Sequence, residues 1–249
     1  MNLTELIKNW NQFGKEDPYW AILTDPDKKG NKWDEEAFFE TGRKWIDQQV
    51  KQLKRIKSNF KFHSALDFGC GVGRLTQGLA NHFEHVSGVD VAPSMIQLAN
   101  EKNKKDNCTY FLNQKNDLSL FKNETFDFVF SIITLQHMQP KYAKNYILEF
   151  IRILKPEGII NFQIPSKPDM ATLSYHSPLK KIKRKIAGVL NPNSNMNVDP
   201  IMEMYWIPIH ELVIFFKNNS VQILSIKKND SAGEKWDSYT YIVIKEPNV

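Results

Sequence analysis

Three glycines at alternate positions, Gly69, Gly71 and Gly73, constrain this chain more than any other feature. They follow the short apolar run Ser64-Ala65-Leu66-Asp67-Phe68 and lead into a helical pattern from Arg74 to Phe83. Glycines placed directly after a strand let the backbone turn tightly and approach a ligand that a Cβ would obstruct. The helix that follows offers unpaired N–H groups at its start. A nicotinamide or flavin dinucleotide fingerprint puts its third glycine five positions after the first. Here the third comes four positions after, and Arg74 stands next. A Walker A loop is excluded as well, because no Gly-Lys-Ser/Thr follows. The spacing favours a different nucleoside ligand.

The pattern downstream repeats the theme. Strands are expected at Val86–Asp90, Cys108–Leu112, Phe126–Thr134 and Ile159–Ile164. Helices are expected from Pro93 to about Lys102 and from Ala143 to Leu154, where Lys155-Pro156-Glu157-Gly158 reads as a stop. A helix near Ile209–Asn218 and strands Val221–Ile226 and Tyr239–Ile244 follow. This alternation predicts an α/β fold with a doubly wound, mostly parallel seven-stranded sheet whose last strand is antiparallel. With 249 residues the chain is long enough for one such domain. At 41% hydrophobic and 24% charged residues, the composition excludes a disordered or collagen-like chain.

Two segments fall outside the alternation. Residues 1–60 read as a polar helical cap with scattered aromatics, broken at Asp17-Pro18 and at Thr24-Asp25-Pro26-Asp27. Residues 166–205 carry Pro168, Pro178, Pro192 and Pro200 and read as a lid inserted over the functional edge of the sheet. Residues 61–165 would then be the ligand-binding core, and 206–249 the rest of the sheet. No run approaches the roughly 20 apolar residues of a membrane span. The start Met1-Asn2-Leu3-Thr4-Glu5-Leu6 lacks a secretory pattern. Cys70 and Cys108 cannot build a four-cysteine zinc site or a disulfide framework, so a cytoplasmic location is expected.

The segment Ala65-Leu66-Asp67-Phe68-Gly69-Cys70-Gly71-Val72-Gly73-Arg74-Leu75-Thr76 resembles motif I of the class I S-adenosylmethionine-dependent methyltransferases. The resemblance continues through Gly88 to Ala99, Phe126 to Ser131 and Ile153 to Gly158. It implies a Rossmann-like methyltransferase fold and S-adenosyl-L-methionine as cofactor, with S-adenosyl-L-homocysteine as product. It also implies cofactor contacts at Asp67, Gly69, Cys70, Gly71 and Arg74. Asp90, at the end of the second strand, would accept hydrogen bonds from the ribose hydroxyls; an Asp there also suits a helix N-cap. Val91 and Met95 would lie against the adenine, although either also reads as core. An acid bonding the adenine amino group is implied in Asn116-Asp117-Leu118, where Asp117 competes with Asn116. Ser131, within the fourth strand, would also stand beside the cofactor. Cys70 reads as a small packing residue.

The acceptor is expected beyond the carboxyl end of the fourth strand. Gln136 and His137 should face the methyl group there. A neutral imidazole can take a proton from a hydroxyl acceptor, which makes His137 the candidate catalytic base, with a purely structural histidine as the alternative. His176 and His210 are weaker candidates. Tyr19, Trp20, Tyr175, Tyr205 and Trp206 would line a closed acceptor pocket, with Trp10 as a further candidate, unless the N-terminal rings are core. The Asn/Asp-Pro-Pro-Tyr/Phe pattern of many nucleic-acid and protein N-methyltransferases is missing, as is a cysteine placed for attack on cytosine. No acids cluster between Thr134 and Pro140, so the residues imply no metal in the reaction. The run Lys180-Lys181-Ile182-Lys183-Arg184-Lys185 could steer a phosphate-bearing substrate, touch an anionic membrane, bind RNA or merely be solvated. The net charge of +5 decides nothing among these unless it is localised.

The reading is methyl transfer to a small polar acceptor, neutral or anionic, at oxygen rather than nitrogen, with no nucleic-acid partner expected. A sugar, sugar nucleotide or phosphorylated polysaccharide precursor is the preferred class. Alternatives are an RNA or protein methyltransferase, a lipid head-group methyltransferase, and a non-catalytic module that binds the cofactor.

Overall fold

The computed structural model describes residues 1–169 and 200–246. Three helices come first: α1 (Leu3–Glu16), α2 (Pro18–Ile22) and α3 (Glu35–Ile56), with a 3₁₀ turn at Pro26–Lys28. Asn2 caps α1 in a reciprocal box with Glu5, and the Asp34 side chain accepts from the Ala37 amide to start α3. The core follows as β1 (Ser64–Phe68), α4 (Arg74–Leu79), β2 (His85–Asp90), α5 (Pro93–Glu101), β3 (Cys108–Leu112) and β4 (Phe126–Ser131). A 3₁₀ turn at Leu135–His137 leads to α6 (Pro140–Ile153) and β5 (Leu154–Pro168). The chain closes with α7 (Ile209–Lys217), β6 (Val221–Asn229) and β7 (Trp236–Lys245). Among the described residues no helix is long and apolar enough to cross a membrane.

The seven strands form one sheet in the order β3-β2-β1-β4-β5-β7-β6. β1 to β5 pair in parallel, whereas β7 is antiparallel to both β5 and β6. The sheet is therefore mixed, and the antiparallel strand is the last one, β7, as the sequence suggests. The cause is a short connection between β6 and β7, since strands joined by a hairpin must run in opposite directions. Strand order reverses between β1 and β4, which brings the carboxyl ends of β1, β2 and β4 to one edge.

Alternation along the strands feeds two apolar layers. Leu66, Phe68, Ile160, Phe162 and Tyr241 pack on one side with Tyr146, Ile147 and Phe150 of α6 and Leu212 of α7. Ala65, Phe128, Phe130 and Ile242 pack on the other with Ile46 and Leu53 of α3 and Leu79 of α4. Buried Asp127 on β4 is held below the usual carboxylate range: burial pushes its pKa up, but Lys155 Nζ (2.8 Å) and the Ser64 hydroxyl (2.6 Å) outweigh that.

The N-terminal helices sit directly on the core. A Cβ on Gly42 of α3 would lie 2.4 Å from the Arg74 carbonyl oxygen, so α3 meets the start of α4 backbone to backbone. α1 meets α5 through Ser94, whose hydroxyl donates to the Asn11 carbonyl (2.8 Å) and whose amide donates to the Asn11 side chain (3.0 Å).

Two boundaries depart from the sequence expectation. β4 ends at Ser131 instead of Thr134, because Ile133 turns the chain with φ 56°. β5 begins at Leu154, where a stop had been read: Leu154 pairs with Phe126, the register then shifts, and Glu157 takes φ 62°. Such irregularity accommodates extra residues without ending the strand. Of the segment read as a lid, residues 170–199 lie outside the described residues. Tyr175, His176 and the basic run 180–185 fall there.

Candidate active site

The carboxyl ends of β1, β2 and β4 open into a cleft of about 910 Å³, counting the part exposed to solvent. Its floor is the glycine turn. Gly69 and Gly71 hold φ of 80° and 53°, values a side-chain-bearing residue adopts only with strain. A Cβ on Gly69 would also strike the Thr134 side chain at 2.2 Å. The Gly69 and Cys70 amides donate to the Val89 carbonyl, joining the turn to the end of β2.

Asp90 completes that junction. One carboxylate oxygen accepts from the Gly71 amide and the other from the Ala92 amide, each at 2.9 Å. Each oxygen keeps a further lone-pair direction. Burial raises its pKa, against the two amide hydrogen bonds. Both readings of Asp90 thus have a physical basis: it braces the backbone ahead of α5 and it lines the cleft.

Asp67 does not line the cleft. Buried at 2% exposure, it accepts from the Thr76 hydroxyl at 2.6 Å and so pins the first turn of α4 to β1. Burial pushes its pKa up to about 6, partly opposed by Thr76 and the nearby Arg74 charge. Arg74 does line the cleft. Its guanidinium donates to the Thr41 hydroxyl (3.1 Å) and lies 5.7 Å from the centre of the Phe38 ring. Its Nε, also buried, has no partner. Burial lowers its pKa to about 10, so the charge persists at neutral pH. Cys70 lines the cleft as a thiol, since burial raises its pKa well above the ordinary value.

At the β2 side, Val91, Met95 and Asn113 line the cleft. The polar loop after β3 folds away. Asn116 is exposed, Leu118 is fully buried in the core, and Asp117 accepts from the Ser119 amide (3.0 Å). Its pKa is lowered, first by the Ser119 side chain. Asn113 instead holds this loop, donating to the Asp117 carbonyl at 2.7 Å. Ser131 lies behind the wall, its hydroxyl bonded to the Phe68 carbonyl (3.0 Å).

At the β4 side, three side chains form a directed chain of hydrogen bonds between two backbone groups. The Ile133 amide donates to Gln163 Oε1 (2.9 Å), and Gln163 Nε2 donates to Gln136 Oε1 (3.0 Å). Gln136 Nε2 lies 3.2 Å from His137 Nε2, and His137 Nδ1 lies 2.9 Å from the Glu203 carbonyl oxygen. A backbone amide can only donate and a backbone carbonyl can only accept. The two ends therefore set every orientation between them: His137 carries its proton on Nδ1, and its Nε2 lone pair receives the Gln136 amide. Burial lowers the His137 pKa to about 4, against the Glu203 contact. The ring is neutral at physiological pH, lines the cleft, and has both nitrogens engaged. This arrangement favours the structural histidine over the proton acceptor. Gln136 itself, 3% exposed, stands behind His137 and does not line the cleft.

The N-terminal rings divide. Trp10 lines the cleft and meets His137 edge-on at 5.1 Å. Tyr19 instead stacks on Phe38 at 4.5 Å, and Trp20 receives Lys29 over its ring at 4.8 Å. The single helical turn of α2 directs the next two residues, Ala21 and Ile22, to the cleft instead. Tyr205 bonds the Gln136 carbonyl through its amide (2.7 Å), and Trp206 packs 5.9 Å from Trp236; neither lines the cleft. His210 is an exposed residue of α7. Sequence reasoning missed Leu3, Leu6, Ile132, Met138 and Tyr146, all on the wall. Apolar residues at helical spacing carry the same signal whether they face a core or a ligand.

A glycine turn at the switch point of such a sheet, with a carboxylate on the neighbouring strand, defines a nucleoside-binding α/β enzyme. Comparison with known proteins specifies the class. Residues 65–158 match the family described as a methyltransferase domain. Demethylmenaquinone methyltransferase of Tropheryma whipplei is 31% identical over 174 residues, covering 66% of this chain and 68% of that one. YqeM of Bacillus subtilis is 25% identical over 212 residues, 75% of this chain and 81% of the other. Magnesium protoporphyrin IX methyltransferase of Synechocystis PCC 6803, solved with bound S-adenosylhomocysteine, superposes with a TM-score of 0.65 at 18% identity over 98% of this chain and 99% of its own. The chain belongs to the S-adenosylmethionine-dependent methyltransferases, with the Rossmann-like fold of that class and S-adenosylmethionine as cofactor. The residues present fit that group: a buried, charged Arg74 with an unpartnered Nε stands beside a turn whose missing Cβ atoms keep the floor open.

Proposed function

We propose that this enzyme methylates a small acceptor with an apolar body and a nucleophile that arrives already ionised, such as a carboxylate or an acidic phenol or enol. The observation that carries the reading is the state of His137, neutral and with its Nε2 lone pair already taken by Gln136. A hydroxyl of ordinary acidity needs a better base than that. The wall supports the apolar half of the reading, with Leu3, Leu6, Trp10, Ile133 and Met138 around His137. Apolar ligand walls with few polar groups bind apolar ligands. The names of two similar proteins, a demethylmenaquinone and a magnesium protoporphyrin IX methyltransferase, are in keeping with such an acceptor. A sugar or phosphorylated polysaccharide precursor, the class preferred from sequence, finds less support among the described residues.

S-adenosylmethionine brings an electrophilic methyl and a neutral leaving group, so alignment and exclusion of water are the protein's share of the work. In this reading Asp90 takes the ribose hydroxyls, while Val91, Met95 and Asn113 accommodate the adenine. Arg74 meets the carboxylate of the methionyl part with its free Nε. Residues 1–60 cover the cleft through Leu3, Leu6, Trp10 and Ile22.

The test is transfer of labelled methyl from S-adenosylmethionine into fractionated extracts, run in parallel with His137→Gln. Label should enter organic-soluble compounds, and the variant should retain turnover within about tenfold, since removing a general base costs about 10²–10⁴-fold. Label confined to saccharide or nucleotide fractions, or loss of turnover beyond a hundredfold with cofactor affinity intact, would overturn the reading.

A further inference from the structure

We propose that His63, Glu84 and His85 form a binding site for one divalent transition-metal ion of the zinc type, at the end of the sheet opposite the cleft. His63 immediately precedes β1, Glu84 immediately precedes β2, and His85 is the first residue of β2. One ligand atom from each of the three lies within 4.8 Å of the other two. His63 Nδ1 is already 2.5 Å from a Glu84 carboxylate oxygen. The His63 and His85 rings meet edge-to-face at 5.3 Å.

The backbone beneath them is paired. The Glu84 amide donates to the Phe62 carbonyl (3.1 Å) and the His85 amide to the His63 carbonyl (2.9 Å), continuing the ladder in which His85 faces Ser64. The three Cα positions are therefore held where β1 and β2 pair and not by a free loop. Tetrahedral zinc with bonds of about 2.0–2.1 Å sets its ligand atoms about 3.3 Å apart. The widest present separation must close by only about 1.5 Å, which exposed side chains achieve by rotamer adjustment. An ion would replace the proton shared between His63 and Glu84 and leave a fourth position for water.

The donor set points to the metal class. Two imidazoles and one carboxylate suit zinc, nickel and cobalt, and suit magnesium or calcium poorly. The site is separate from methyl transfer, because six residues of nearly extended chain, about 20 Å, separate His63 from Gly69. Its effect falls on stability: an ion bound across β1 and β2 in the folded state alone shifts the folding equilibrium by mass action.

The experiment uses untagged full chain stripped with chelator, with zinc ion as the titrant in calorimetry and cobalt ion as the spectroscopic probe. Wild type should bind one zinc, show visible cobalt bands of low coordination number, and melt at a temperature at least about 2 °C higher with excess zinc. His63→Ala and His85→Ala should each lose the binding by at least tenfold and lose the melting shift, while S-adenosylhomocysteine affinity stays unchanged. Glu84→Gln should weaken binding less. No zinc uptake by wild type above the level of the His63→Ala, His85→Ala double variant overturns the proposal, as does undiminished uptake by that variant.

Discussion

Asp90 shows how one side chain can be asked to do two things. Its oxygens hold the Gly71 and Ala92 amides, and its remaining lone pairs are offered to the cleft. Replacing it with Ala should weaken S-adenosylhomocysteine binding by about 1–3 kcal/mol through lost charge-assisted hydrogen bonds. Calorimetric titration decides the matter, and unchanged affinity would remove Asp90 from the ribose contact. Arg74 complements it at the other end of the floor, where a buried cation makes one hydrogen bond and leaves Nε without one. Such a group is costly in isolation, which is why a bound carboxylate is a natural partner.

The corner between β4 and α6 is the element that shapes the acceptor side. Ile133 holds φ 56°, an uncommon conformation for a β-branched residue, and Gln163 from β5 secures it by accepting from its amide. The same Gln163 donates to Gln136 and to the Ser238 hydroxyl (2.6 Å). Gln163→Leu should therefore destabilise the fold by about 1–3 kcal/mol and raise KM for the acceptor while leaving cofactor affinity nearly intact. Denaturant unfolding and steady-state kinetics together test this; an altered cofactor affinity with an unchanged acceptor KM would contradict it. This corner also marks the limit of what could be read beforehand. The turn from β1 into α4 was legible because its cause is local: glycines, a strand and a helix start within ten residues. Asp90 was legible through the motif it ends. The corner was not, because its geometry depends on Gln163, thirty residues away, and on an isoleucine in a glycine-like conformation. The wall from α1 and α2 was hidden for another reason. Leu3, Leu6 and Ile22 obey ordinary helical burial, and nothing in their spacing separates a core face from a ligand face. Nor could spacing alone reveal that Tyr19 stacks on Phe38 while its near neighbour Ile22 turns inward.

For the molecule as a whole, two buried groups couple stability to pH in opposite senses. His137 titrates near 4 in the folded state against 6.5 ordinarily, so the unfolded chain binds the extra proton and stability falls as pH drops from about 6.5 to 4. Asp67 titrates near 6 against 3.8, so the folded state binds the extra proton and stability rises over nearly the same interval as pH drops. Each shift corresponds to about 3 kcal/mol, and the two largely cancel. Asp67→Asn keeps an acceptor for the Thr76 hydroxyl but removes one side of this balance. Its unfolding free energy should fall more steeply than that of wild type between pH 6.5 and 4, measured by denaturant titration at several pH values. Parallel curves would mean that Asp67 takes up no proton on folding in that range.

The position of β7 has a consequence for how the molecule comes into being. Although it is made after β6, it occupies an inner slot, hydrogen-bonded to β5 on one flank and β6 on the other. Until residues 236–245 leave the ribosome, β5 presents an open edge lined by Ile160, Phe162 and Ile164, and β6 has no neighbour to lean on. Tyr241, with no measurable exposure and stacked on Phe162, is the plug that ends this interval. A nascent chain of this design is vulnerable to strand-to-strand association until β7 has been made.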